Sequence, residues 1–208
     1  MKKLLSIAAV SLGLAFAPAH AAVIDFANEA DTNGERGLTN GSAIAIDGFN
    51  LVLTSFDSAG DAAHNPYLDA GNAGLGVCQT GLDNDAQCIT SSDDNVTNNE
   101  QIQIAFSSPI DILDTLFRAA DHSVLTMGSI EVVTNLGSLT DDVSTLMATA
   151  LANGILDDAS YIQFNFVDTE FYVSSITVND VPIPGAIPLL ISGLAGLGFA
   201  GRRKKKTA

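Results

Sequence analysis

Apolar residues between positions 22 and 180 recur at every second place, in short runs broken by Gly, Asn and Asp. Ile24 and Phe26 alternate with Asp25, Ile44 pairs in phase with Ile46, and Phe49, Leu51 and Leu53 continue beyond Gly48. Ile102, Ile104 and Phe106 stand opposite Gln101 and Gln103. Ile130 and Val132 flank Glu131, while Ile162, Phe164 and Phe166 alternate with Gln163 and Asn165. Period two gives an extended strand one apolar and one polar face. Such strands need a second sheet to cover them, which predicts a mainly β, antiparallel β-sandwich of the jelly-roll-like kind. Residues 110–119, after Pro109, and the β-branched and aromatic run 171–178 predict two more strands. Residues 31–40 and 57–72 carry the punctuation of loops.

One segment departs from this period. Val143, Leu146, Met147, Ala150 and Leu151 recur at helical spacing. Thr140 is placed to cap, Asp141 and Asp142 suit a positive helix start, and Asn153-Gly154 suits an end. One short helix is therefore predicted in an otherwise β domain.

The two ends read differently from the middle. Lys2 and Lys3, an apolar run at 4–17 and Ala19-His20-Ala21 have the order of a secretory signal peptide, so cleavage is expected after Ala21. Residues 22–180 then form one domain, large enough for a proper core. At the other end, Pro182 and Pro184 remove two backbone donors and hold Val181 and Ile183 extended. An uncharged stretch at 185–201 follows, closed by Arg202, Arg203, Lys204, Lys205 and Lys206. As a helix it spans about 25 Å, slightly short of a ~30 Å hydrocarbon core, and the basic cluster marks a cytoplasmic end. A transmembrane helix is expected over 185–201.

Charge separates the same three parts. Of the 9 basic residues only Arg36 and Arg118 lie between the ends, where they face all 24 acids, and the chain nets −15. That field repels nucleic acid and anionic lipid, so neither is expected as a ligand of the domain. Cys78 and Cys88 are the 2 cysteines, and in an exported chain they predict a disulfide.

Oxygen donors crowd the stretch that follows. Asp83 and Asp85 precede Cys88, and Asp93, Asp94, Asn95, Asn99 and Glu100 lead into the strand at 102–106. The plain reading is a solvated loop. The functional one is a calcium site, with Asp93, Asp94, Asn95 and Glu100 as ligands, because closely spaced hard oxygens suit Ca²⁺. The spacing is not that of an EF-hand, which needs a Gly absent here. Catalytic constellations are poorly supported. Asp121, His122 and Ser123 are chain neighbours rather than a triad, no G-x-S-x-G elbow occurs, and His122 beside Asp121 reads as a loop contact. Paired carboxylates of the glycosidase kind stay open, although a chain with no Trp and 3 Tyr offers few sugar platforms.

The tail resembles the PEP-CTERM class of protein-sorting signals, and is closest to the variant that reads Val-Pro-Leu-Pro-Ala. The matching residues are Val181, Pro182, Ile183, Pro184 and Gly185, with Ile183 and Gly185 departing from that variant. The resemblance implies an exosortase-type membrane protease as partner, a transient inner-membrane anchor, and delivery to the cell surface or extracellular matrix. The G-L-G-V-C of residues 74–78, with E-x-I-x-I-x-F at 100–106 and F-R-A-A-D-H at 117–122, resembles the β-sandwich ectodomains of such sorted proteins. The expected function is thus a non-enzymatic surface protein, exopolysaccharide being a candidate partner. The rival expectation is a polysaccharide-binding module or a hydrolase acting on envelope polysaccharide.

Overall fold

The computed structural model of the chain describes residues 21–57, 59–60, 64–90 and 94–179. The signal segment before Ala21, the sorting tail at 181–208 with its expected transmembrane helix, and Asp93 lie outside the described residues. In chain order come β1 (Ala21–Asp25), α1 (Phe26–Asn33), β2 (Arg36–Gly37), β3 (Ser42–Ile46), β4 (Phe49–Asp57), β5 (Asn65–Asp69) and β6 (Gly74–Cys78). Then follow β7 (Glu100–Arg118), β8 (Ser129–Thr134), β9 (Gly137–Asp142), α2 (Val143–Ala152), β10 (Ala159–Phe166) and β11 (Tyr172–Asn179).

All strand pairs are antiparallel, and the 19-residue β7 connects them. Its first half lies between β4 (Leu51 opposite Phe106, Asp57 opposite Glu100) and β10 (Ile162 opposite Ile104). Its second half leaves those neighbours and pairs with β11, from Asp111 opposite Asn179 to Arg118 opposite Tyr172. One set of strands therefore runs β3-β4-β7-β10-β8-β9, and the other β2-β5-β6-β11-β7 with β1 added to β11. The change of partners falls at Ser107, Ser108 and Pro109, all exposed, where a residue without an N–H breaks no ladder. The sequence pattern predicts two strands here. The chain instead stays extended through Pro109 and makes one strand that serves both sets, an arrangement consistent with a β-sandwich.

Two bulges keep apolar residues turned inward after that change. Leu113 is the extra residue on β7 and Ser174 the extra residue on β11. The buried positions of β7 are Glu100, Ile102, Ile104, Ile110 and Ile112 before the first bulge, and Thr115 and Phe117 after it. One inserted residue flips the phase of everything beyond it. Phe117 then meets Phe164 of β10 edge-on at 5.0 Å and Phe171 at 5.6 Å, which joins the two strand sets through one ring cluster.

Among the described residues the domain holds two helices where the sequence pattern predicts one. Asp25 ends β1 and accepts a hydrogen bond from the Asn28 N–H at 2.9 Å, so it caps α1 and takes Phe26 out of the strand expected there. The helix buries Phe26, Ala27 and Ala30. The expected helix is α2, but its cap is Asp142, which accepts from the Ser144 N–H; Thr140 is held in β9 opposite Glu131. The segments expected as loops carry β2 and β5. Four of the five residues of β5 and all five of β6 are buried, so neither strand shows an alternation to read.

Phe117→Ala removes the shared member of the ring cluster from a site that is 3% exposed. It should cost about 3–5 kcal/mol of stability in urea unfolding. A loss below about 1 kcal/mol would mean that the cluster does not join the two strand sets.

Candidate functional site

Register places a polar network on the side of β5, β6 and β11 opposite the apolar core. Tyr67 and Asp69 stand opposite Gly76 and Gly74 in the β5–β6 pair, on one face, while Leu68 and Leu75 point to the other with Val173. The two glycines leave this face bare of side chains. A Cβ on Gly76 would strike the Asp94 carbonyl oxygen and come within 2.9 Å of the Asn95 Cα. One on Gly74, whose φ is +117°, would lie 2.5 Å from the Val173 carbonyl. The G-L-G-V-C run is thus a flat seat for the backbone of residues 94–96. That segment is fastened further by Val96 and Phe171, which exchange hydrogen bonds at 2.8 and 3.1 Å.

Seated there, Asp94 accepts a hydrogen bond from the Tyr172 hydroxyl at 2.6 Å. Beside it, Asp69 lies 3.1 Å from the His122 Nε2. His122 arrives on a tight turn after β7, closed by the His122 N–H on the Ala119 carbonyl at 2.8 Å and held at φ 63°. Its Nδ1 is 3.1 Å from the Gly71 carbonyl. A carbonyl can only accept, so Nδ1 is the donor there and Nε2 faces Asp69. The imidazole also meets the Tyr172 ring edge-on at 5.4 Å. At the far end of the face Tyr67 donates to Glu35 at 2.6 Å and lies 2.9 Å from the Gln87 side-chain oxygen. Gln87 is held in place by the loop that the Cys78–Cys88 disulfide closes.

Burial governs the protonation of this network. Asp69, 6% exposed, is pushed up to about 6, first by burial and then by the negative charge of Asp94, with His122 opposing. Burial also raises Asp94, while the Tyr172 hydrogen bond lowers it. Both phenols are pushed far above their usual range by burial and by their carboxylate partners, so Tyr67 and Tyr172 keep their protons and act here as hydrogen-bond donors. The network ties three separate loops to one sheet face.

Three of the residues expected from sequence to hold calcium are among the described ones, each with a hydrogen-bond partner in the protein. Asp94 faces Tyr172, the Asn95 amide donates to Glu170 at 3.2 Å, and Glu100 accepts from the Thr97 N–H at 2.8 Å. Among the described residues no three His, Cys, Asp or Glu side chains are grouped to hold a metal ion. The expected partner of His122 was Asp121; that carboxylate instead accepts from the Ser123 N–H at 3.0 Å, and the partner is Asp69. Sequence reasoning missed Glu35, Tyr67, Asp69 and Tyr172. The Tyr67-x-Asp69 spacing puts two polar residues on one strand face, which is the only local trace they leave. No family model, curated protein or solved structure matches the chain.

Gly76→Ala should destabilise the domain by about 1–3 kcal/mol, because backbone rather than a movable side chain occupies the space. A thermal melt unchanged by that substitution would contradict the close seat. Asp69 makes a second expectation. A folded-state pKa raised from 3.8 to about 6 means the native state binds the proton more tightly, so this residue favours folding below pH 4 and loses that contribution as pH rises toward 6. Urea unfolding should therefore show the native chain gaining stability over Asp69→Asn between pH 7 and pH 4.5. A stability difference independent of pH would contradict a buried Asp69 flanked by Asp94, Glu35, His122 and Tyr172.

Proposed function

We propose that the chain is an exported cell-surface or extracellular-matrix protein, a non-enzymatic, jelly-roll-like β-sandwich carried by a PEP-CTERM-like sorting tail. One observation supports this reading above the others. β1 begins at Ala21 and pairs antiparallel with β11, Ala21 opposite Asn179. The described domain thus begins and ends side by side, at the two points where a signal peptide and a sorting tail join it. Adjacent ends suit a domain tethered at both ends to one membrane during export. The disulfide between Cys78 and Cys88 suits an oxidising compartment, and an acidic face poor in cations suits solubility outside the cell. In this reading an exosortase-type protease cuts within Val181, Pro182, Ile183, Pro184 and Gly185, after the helix at 185–201 and the cluster from Arg202 to Lys206 have held the chain in the membrane.

Calcium belongs to the same proposal, with Asp93, Asp94, Asn95 and Glu100 as its oxygen donors. The charge of Asp94 raises Asp69 beside it, and a cation there would offset that repulsion.

The mature protein should end near 181–185 by intact-mass measurement. Pro182→Ala with Pro184→Ala should leave an uncut precursor in the membrane. A surface form that still carries 186–208 would make the tail a plain anchor. Ca²⁺ at 100 times its dissociation constant should add about 2.7 kcal/mol of stability. A melting temperature identical in Ca²⁺ and in EDTA would remove calcium from the account.

A further inference from the structure

The set of strands that carries no part of the Asp69–His122 network presents a different kind of surface. The core faces of β4, β7, β10 and β8 hold Leu51, Leu53, Ile102, Ile104, Ile162, Phe164, Ile130 and Val132. Their opposite faces are half-exposed and lined with amides joined in one line. Gln103 donates to Gln163 at 3.2 Å, and Gln163 donates to Gln101 and to Asn165, each at 2.8 Å. Asn165 donates to Glu131 at 2.8 Å. The register extends the two rows sideways, from Thr54 opposite Gln103 and Phe56 opposite Gln101 to Thr140 opposite Glu131. Tyr161, half-exposed, stands opposite Ala105 in the adjoining row, with Val52 beyond it.

We propose that this amide-lined face binds an uncharged polysaccharide chain. Side-chain amides are planar and offer donors and acceptors together, which is the pairing that sugar hydroxyls require. The bonds among them fix their planes in advance, so little freedom is lost on binding. In the line of bonds Gln101 acts only as acceptor and Gln103 only as donor, which leaves the Gln101 nitrogen and the Gln103 oxygen to a ligand. The five strands β4, β7, β10, β8 and β9 span about 19 Å at their usual spacing, long enough for several sugar units. Tyr161 and Phe56 supply rings for the apolar faces of those sugars. Charge selects the class of chain: the face carries Glu131 and no cation, and the domain around it holds only Arg36 and Arg118, so a uronate or sulfated polymer is repelled. This inference goes beyond the export reading and does not depend on the tail.

The test is calorimetric titration of the exported protein, as purified, with hexasaccharides of glucose, mannose, galactose and xylose and with a hexauronate. At least one neutral hexasaccharide should bind and the hexauronate should not. Gln163→Ala and, separately, Tyr161→Ala should each weaken that binding about tenfold, the loss expected from one unpaired polar contact or one lost ring. The melting temperature of each variant reports whether the fold is kept. Failure of all four neutral sugars to bind, preference for the hexauronate, or affinity unaltered in both folded variants would overturn the proposal. None of those outcomes bears on where the mature chain ends.

Discussion

A strand with one apolar face must be covered, and in this chain one strand answers that demand for two sets at once. β7 lies between β4 and β10 in its first half and beside β11 in its second. Everything else hangs on that exchange. Pro109 marks where it happens, at exposed positions whose backbone has no ladder to break. The bulge at Leu113 re-phases the strand, so that Phe117 faces inward and meets Phe164 and Phe171. Without the inserted residue, Phe117 would stand on the polar side and the ring cluster would be lost.

How far the sequence reveals this depends on how each strand is buried. β4, β8 and β10 are one-faced, and their alternation is plain in the sequence. β5 and β6 are buried on both faces, by the core below and by the 94–96 backbone above, so they carry no period and read as loop. α1 is hidden for another reason: Asp25 continues the alternation of Ile24 and Phe26, and its capping bond to Asn28 overrides the strand pattern. The site is legible only in part. Asp94 and His122 stand out as unusual, but their partners Tyr172 and Asp69 are set by register across strands far apart in the chain. Spacing along the sequence holds no trace of such pairs.

The two sheet faces turned away from the core do different work. One is sealed by the 94–96 segment and by the turn carrying His122, which cover Asp69 and hold the Tyr172 phenol as a donor. The other is half-open, uncharged but for Glu131, and lined with amides whose planes are fixed by their neighbours. The division fits a protein that keeps its buried charge in a structural network and meets its surroundings through neutral polar groups.

If β7 makes one cooperative unit of the two strand sets, they must open together. Native-state hydrogen exchange measures this directly, by following amides of β4 and β10 on one side and of β5, β6 and β11 on the other as urea is raised. The account predicts that the slowest amides of both sets converge on one opening free energy, with one dependence on urea. Exchange of β5, β6 and β11 through a smaller opening, while β4 and β10 stay protected, would show that β7 does not bind the two sets into one fold.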